Sequence, residues 1–75
     1  MSFNPLDTRQ EIQDTLYFLS VPYTKDKIQT GKMPIFILRT DEETITIHSP
    51  YRVYIDKTKF ASTYEAKLEL MKRYL

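Results

Sequence analysis

The 75-residue chain has no cysteine, a single glycine and no long apolar run. Without cysteine there can be no disulfide framework and no thiolate chemistry, and a small domain without cross-links fits a reducing compartment. One glycine cannot form a glycine-rich phosphate-binding loop. No apolar run approaches the roughly 20 residues of a membrane span, and the N-terminus lacks the basic-then-apolar pattern of a signal peptide. We therefore expect a cytoplasmic protein without a membrane segment.

The chain also lacks an excess of charge of one sign. Its 11 basic and 10 acidic residues give a net charge of +1, so no global field directs it towards nucleic acid or an anionic surface. Hydrophobic residues make up 41% and charged residues 28%, values that are typical of a folded chain. We expect one small domain over residues 1–75, with one modest core.

The stretch 34–56 is rich in β-branched and aromatic residues and holds five of the seven isoleucines. Its apolar run 35–38 predicts a strand covered on both faces, and either Ile35 with Ile37 or Phe36 with Leu38 could be the more exposed pair. Segments 44–48 and 51–56 alternate between apolar and polar residues, so each predicts a strand with one open face. The predicted buried residues are Ile45, Ile47, Tyr51, Val53 and Ile55, and the predicted open face carries Thr44, Thr46, His48, Arg52, Tyr54 and Asp56.

Two polar breaks separate these three segments. Asp41 lies in the first break, where its side chain can bond its own backbone two residues on and favour a short reversal. Pro50 lies in the second and has no N–H group for a strand ladder. A meander of three antiparallel strands is the simplest arrangement.

An N-terminal helix is predicted over residues 5–20. Asn4 can cap its first turn, Pro5 suits the first helical position, and Asp7 complements the positive end of the helix dipole. Phe18 falls outside the apolar face, so it is either an exposed aromatic in an acidic patch or tucked under the next loop by a frayed helix end. The apolar face contains Thr8, Ile12, Thr15, Leu16 and Leu19, and Phe18 lies beside Asp7, Glu11 and Asp14 on the other face.

The polar segment 23–33 gives the weakest signal in the chain. It is predicted to be an ordered loop with one helical turn around Ile28, or a mobile segment.

A C-terminal helix is predicted from Thr63 almost to the end of the chain. Ser62 and Glu65 have the spacing of a capping box, in which each side chain satisfies a free backbone N–H at the helix start. Tyr64, Leu68, Met71 and Leu75 form one apolar stripe, with Leu70 and Tyr74 at its margin and Lys67 near it. With both helices packed on one face of the meander, the expected fold is α+β with the order α-β-β-β-α.

Catalytic and metal-binding patterns are missing from the sequence. His48 is the only histidine and no cysteine is present, so a nucleophile–base–acid triad would have few candidates. The acidic run 41–43 lacks the alternation and the glycine of a calcium loop. We expect no enzymatic activity, no cofactor and no metal site.

The predicted open face of the sheet is the first candidate binding surface. Tyr and Arg are enriched at binding hot spots, although Arg52 and Tyr54 could equally stack on one another across the strands. The leading hypothesis is a small protein-interaction module that docks a larger protein through this face or a strand edge, with a homodimer possible by the same edges. The candidate partner-binding residues are Arg52, Tyr54, His48, Thr46 and, on the N-terminal helix, Phe18.

The α-β-β-β-α order also resembles that of double-stranded-RNA-binding domains over nearly the whole chain. In that family a K-K-x-A-K cluster begins the last helix and a G-P-x-H loop joins the first two strands. The corresponding stretches here are 62–67 and 40–43, in which Ala66-Lys67 matches the family pattern. The resemblance implies the alternative function, nucleic-acid binding by phosphate contacts. Its candidate residues are Arg52, Lys57, Lys59 and Lys67, with Lys25, Lys27 and Lys32 as further contributors.

Overall fold

The computed structural model of the protein describes residues 5–31 and 33–75. The predicted helix cap at Asn4 and the basic residue Lys32 lie outside the described residues. The elements, in chain order, are α1 (Pro5–Phe18), β1 (Thr24–Thr30), β2 (Met33–Arg39), β3 (Thr44–Ser49), β4 (Arg52–Ile55), β5 (Thr58–Phe60) and α2 (Thr63–Tyr74).

The five strands form one antiparallel sheet in the order β1-β2-β3-β4-β5. Helix α1 packs on β2 and β3, α2 packs on β4 and β5, and the two helices contact each other. The fold is therefore α+β as predicted, but the sheet has five strands and the prediction of three was wrong. The core between the layers contains Ile12, Leu16, Phe36, Leu38, Ile45, Ile47, Val53, Ile55, Ala66 and Leu70.

Strand β1 occupies the segment that was predicted as a loop. It pairs along its whole length with β2, and Gly31 follows it with φ +62°, a conformation that glycine adopts without steric cost. Neither helix covers β1 in the described structure. A strand that has no cover on either face needs no apolar residues, which explains why its sequence does not alternate clearly.

Strand β5 was also not predicted, because it has only three residues. It pairs with β4 through a tight turn in which Asp56 has φ +56°. Aspartate is among the residues that tolerate this left-handed conformation best. The Asp56 side chain also accepts a hydrogen bond from the Thr44 N–H at 3.1 Å, which ties the turn to β3.

Successive residues of β2 and β4 face opposite sides of the sheet, but the burial predicted for Tyr51, just before β4, was wrong. Phe36 and Leu38 face the core, whereas Ile37 pairs with Asp26 and Thr46 on the face without helices. Tyr51 was predicted to be buried but is 58% exposed. It lies in the turn before β4, where the register between β3 and β4 shifts, so the strand alternation does not extend to it.

The turn between β2 and β3 is held by Thr40 rather than by Asp41. The Thr40 hydroxyl accepts hydrogen bonds from the backbone N–H groups of Glu42 at 3.1 Å and Glu43 at 3.0 Å. A threonine hydroxyl can act in this way like the aspartate side chain that was expected.

Helix α1 ends at Phe18, two residues before the predicted end. Ser20 has φ +59°, its N–H donates to the Tyr17 carbonyl, and the Val21 N–H donates to the Leu16 carbonyl. This pair of bonds around a left-handed residue is the Schellman motif, which satisfies the last carbonyls of a helix.

Helix α2 begins at the predicted capping box but buries a different face from the one predicted. The Ser62 hydroxyl accepts from the Glu65 N–H at 3.1 Å, and the Glu65 carboxylate accepts from the Ala61 N–H at 3.1 Å. The buried residues of the helix are Thr63, Ala66 and Leu70. The small Ala66 side chain lets the helix approach the sheet closely, so the larger apolar stripe is turned outwards.

Candidate functional site

The two helices lie side by side and run in the same direction. At their N-terminal ends, the Thr63 hydroxyl donates to the Thr8 hydroxyl at 3.3 Å. At their C-terminal ends, Tyr74 lines one cavity together with Leu19 and Val21. The outer surfaces of α1 and α2 therefore form the two walls of a shallow groove on the side of the molecule away from the sheet.

The α2 wall of this groove is apolar. Leu68 is 46% exposed and Leu75 is 84% exposed, and Tyr64 on the same stripe is exposed as well. Thr63 bonds to α1 and Tyr74 lines a cavity with Leu19, so these two residues mark the side of α2 that faces α1. At about 100° per residue, the stripe lies between that side and the outermost side of α2. The stripe consists of Tyr64, Leu68, Met71 and Leu75, of which Met71 is half-buried.

The α1 wall is acidic and ends in an aromatic side chain. Asp7, Glu11 and Asp14 are exposed and follow one another at helical spacing, and Phe18 is 70% exposed one turn further on. Arg9, the one basic residue of α1, points away from this wall. Its guanidinium lies 4.4 Å from the centre of the Phe36 ring, on the flank of α1 that faces β2.

We call these two walls together the helical groove: the apolar stripe Tyr64, Leu68, Met71 and Leu75 on α2, and Asp7, Glu11, Asp14 and Phe18 on α1. Sequence reasoning found both sets, but it assigned the α2 stripe to the core. The exposure of Phe18 agrees with the first of the two predicted alternatives, the aromatic in an acidic patch.

The open face of the sheet brings together four of the five predicted partner-binding residues. Thr46 pairs with Tyr54 across β3 and β4, and the His48 ring meets the Tyr54 ring edge-on at 5.3 Å. The Arg52 Nε donates to the Tyr54 hydroxyl at 3.2 Å. Phe18 lies apart from them, because α1 is on the opposite face of the sheet.

Arg52 contacts Tyr54 along a single strand, β4, and not across strands as considered from the sequence; its guanidinium lies 5.8 Å from the centre of the Tyr54 ring. Burial, followed by the positive charge of Arg52, lowers the pKa of His48 below its usual value. The charged form of His48 is therefore disfavoured beside Arg52, and Tyr54 contacts both of these side chains.

The four predicted nucleic-acid-binding residues do not share one surface. Lys59 pairs with Tyr54 on the open face of the sheet, near Arg52, and Lys57 is exposed in the turn between β4 and β5. Lys67 lies on α2, on the other side of the sheet. The further candidates Lys25 and Lys27 lie opposite Leu38 and Phe36 in the register of β1, again on the helical side.

A buried carboxylate that sequence reasoning missed joins α2 to the turn between β2 and β3. The Glu43 side chain is 2% exposed, and it accepts hydrogen bonds from Arg73 at 3.2 Å, from Thr40 at 2.8 Å and from the Tyr74 hydroxyl. Burial, then the bond to Glu43, raises the pKa of Tyr74. Nothing in the acidic run 41–43 distinguishes Glu43 from its solvated neighbours, so no sequence signal could have found this cluster.

Residues 5–31 and 33–75 contain no group of three or more His, Cys, Asp or Glu side chains that could hold a metal ion. Among the same residues, no helix is long and apolar enough to cross a membrane. Comparison with known proteins gives no relative: no family model, no curated protein and no solved structure matches the chain.

Proposed function

We propose that this chain is a non-catalytic protein-interaction module, an adaptor, regulator or inhibitor that docks a larger protein through the helical groove. The observation that carries the proposal is the outward-facing apolar stripe of α2. Exposed apolar surface that is continuous along a helix commonly marks a binding surface, whereas single exposed apolar residues do not. Tyr64 and Phe18 add aromatic side chains, which often anchor protein interfaces.

The strand edges support the groove as the docking surface, because both are poorly suited to strand addition. The edge strand β1 carries the exposed charged run Lys25, Asp26 and Lys27, and charged side chains at an edge oppose pairing with another chain. The other edge strand, β5, has only three residues. A homodimer or a partner peptide added at β1 would meet this charged run, and one added at β5 would gain few backbone hydrogen bonds.

The open face of the sheet offers less free apolar surface than the groove. Ile37 is 7% exposed on that face, and Arg52, His48 and Tyr54 already contact one another. A partner that docked there would have to break these contacts before making its own.

The proposal is tested with two matched variants, Leu68→Glu and Ile28→Glu. Leu68 in the groove and Ile28 on β1 are aliphatic residues of similar exposure, 46% and 43%, so both changes add the same charge at comparable cost to folding. The tagged wild-type chain and each variant are used to capture proteins from a cell lysate with and without nuclease treatment, and each captured protein is then purified and titrated directly. Equilibrium unfolding of all three chains verifies that each variant is folded.

We expect a partner that binds the wild type and Ile28→Glu but loses at least about tenfold in affinity for Leu68→Glu. Partners that are equally affected by both variants, or by neither, would contradict docking through the groove. If every captured species disappears after nuclease treatment, the protein-interaction function itself is wrong and nucleic-acid binding through Arg52, Lys57 and Lys59 replaces it.

A further inference from the structure

A cleft lies between α1 and the edge strand β1, on the flank of α1 away from α2. Lys25 and Lys27 are on the helical side of the sheet, because the residues of β2 with which they pair face the core. Both lysines line one cavity together with Arg9 of α1. Three basic side chains therefore come together at one end of the cleft.

Arg9 is held in place at this end, yet its hydrogen-bonding capacity is unused. Its guanidinium lies over the Phe36 ring, 4.4 Å from the ring centre, and its buried Nε has no acceptor among the described residues. One turn further along, Gln13 is 8% exposed and its buried Oε1 has no donor there. Rotating that amide by half a turn would offer its NH₂ group to an anion. Because buried polar groups without partners cost free energy, this flank favours a ligand that supplies acceptors.

The carboxylates nearby do not balance the charge of the basic residues. Arg9, Lys25 and Lys27 form no ion pair within residues 5–31 and 33–75. Asp26 lines the same cavity, but it accepts a hydrogen bond from the Lys27 backbone N–H at 2.8 Å and pairs with Arg39 at 3.5 Å. Three unpaired cations beside one paired carboxylate are complementary to an anion.

The opposite end of the cleft is aromatic. Tyr17 is 85% exposed and lines a cavity with Tyr23, which precedes β1. It lies about 12 Å from Arg9 along the helix axis, at 1.5 Å per residue. Asp14, whose carboxylate accepts from the Gln10 amide at 2.9 Å, is close to Tyr17 on the helix surface and opposes a phosphate at this end. The cleft therefore fits an extended occupant that is anionic at one end and carries a flat, uncharged group at the other.

Beyond the proposed function, we infer that the α1–β1 cleft, formed by Arg9, Gln13, Tyr17, Lys25 and Lys27, binds single-stranded nucleic acid. Phosphate groups accept from the three basic side chains, and one base stacks on the tyrosine ring. Basic grooves with aromatic side chains bind single strands in this way, because every base has a flat face. A duplex is a poor occupant, because its bases stack on one another. The cleft and the helical groove lie on different flanks of α1, so both can be occupied at once.

The inference is tested with labelled single strands of thymidine and of uridine, each about 12 nucleotides long. They are titrated with the chain by fluorescence anisotropy at a series of salt concentrations. Lys25→Gln with Lys27→Gln removes two charges from the cleft. Lys57→Gln with Lys59→Gln is the matched control, because it removes the same charge at the same spacing from exposed lysines elsewhere.

We expect the cleft pair of substitutions to weaken binding by at least about tenfold at low salt. The slope of log affinity against log salt concentration should fall by about 1.4, since each phosphate contact with a single strand contributes about 0.7. The control pair should weaken binding by less than about twofold and leave the slope unchanged.

Tyr17→Ala tests the contact with a base. Its matched control is Tyr64→Ala, because Tyr64 is 67% exposed on α2, outside the cleft. Tyr17→Ala should weaken binding by at least about fivefold with an unchanged salt slope, since the ring contributes stacking and no charge. Tyr64→Ala should have an effect of less than about twofold. Equilibrium unfolding verifies that each variant is folded.

Failure of both strands to bind at low salt would overturn the inference. Equal losses in the two lysine pairs would assign binding to general charge and overturn the cleft as the site. An unchanged affinity of Tyr17→Ala would overturn the base contact that distinguishes nucleic acid from other anions, as would a glutamate peptide that competes as well as a thymidine strand of equal charge. Binding that meets the expectations supports the inference, and a preference between the two strands then distinguishes DNA from RNA.

Discussion

At the scale of single residues, Glu43 is the clearest case of a side chain whose role depends on the folded chain. Its carboxylate is buried, and three side chains from the β2–β3 turn and from α2 satisfy it. A buried charge is tolerated only when its partners are all in place, so the cluster fixes the C-terminal end of α2 over the sheet.

Replacing Glu43 with alanine should lower the free energy of unfolding by about 2 kcal/mol, because the hydrogen-bonding groups of Thr40 and Tyr74 lose their partner. This loss of stability is smaller than the full cost of breaking a buried ion pair, since Arg73 is 35% exposed and can be solvated. Glu42→Ala, next to it and exposed, should change stability by less than about 0.5 kcal/mol. Urea unfolding of both variants measures the difference, and equal effects would contradict a structural role for Glu43.

The lowered pKa of His48 predicts how the stability of the chain depends on pH. Because its pKa is lowered in the folded chain by burial and by Arg52, the unfolded state binds the proton more readily. The stabilisation by neutral His48 is therefore fully present above pH of about 6.5, the pKa of histidine in the unfolded chain. It is lost as the pH falls through the lower pKa of the folded chain. The free energy of unfolding of His48→Gln should fall less steeply than that of the wild type below about pH 6.5. Identical pH profiles would contradict a lowered pKa of His48 in the folded chain.

At the scale of secondary structure, α2 shows why an apolar stripe does not by itself predict burial. The four large residues of the stripe follow helical spacing, yet Thr63, Ala66 and Leu70 face the sheet. Thr63 supports this orientation through a hydrogen bond from its hydroxyl to the Pro50 carbonyl at 3.1 Å. Rotating α2 to bury the stripe would break this bond and separate Glu43 from Tyr74 and Arg73.

The orientation of α2 predicts different costs for two neighbouring leucines. Leu70→Ala should lower the free energy of unfolding by about 3 kcal/mol, because it leaves a cavity in the core. Leu68→Ala should cost less than about 1 kcal/mol, because the side chain is half exposed. Thermal or urea unfolding tests the pair, and a larger loss for Leu68 would mean that α2 buries the stripe instead.

Much of the fold could be predicted from local sequence, and the failures have physical causes. The alternation of Ile45 and Ile47 and the capping box at Ser62 are local patterns, and both have the structure they indicate. Strand β1 has no such pattern, because an edge strand without helical cover is free to be polar on both faces. The predictions of the C-terminal end of α1 and of the burial of Tyr51 were wrong, because a turn and a register shift, rather than periodicity, decide them.

The candidate site could be predicted only in part. The exposure of Phe18 was one of two alternatives that the sequence left open, whereas the neighbours Arg52, Tyr54 and His48 followed from strand alternation. The pairing of the α1 wall with the α2 stripe could not be predicted, because it depends on the contact between two helices that are distant in sequence. The same is true of the Glu43 cluster.

At the scale of the whole molecule, the two faces have different characters. The open sheet face is dominated by polar side chains, several of which bond to one another. The helical face combines the exposed apolar stripe of α2 with the acidic wall of α1. We propose that another protein binds to the helical face.

Site-specific photocrosslinking in living cells tests that claim most directly. A photoreactive phenylalanine analogue is placed at position 68 in the groove or, as the matched control, at position 28 on β1. We expect a discrete protein adduct from position 68 that resists nuclease, is absent from position 28, and is lost when Leu75→Glu is added. Adducts from position 28 alone, or nucleic-acid adducts from either position, would contradict docking through the helical groove.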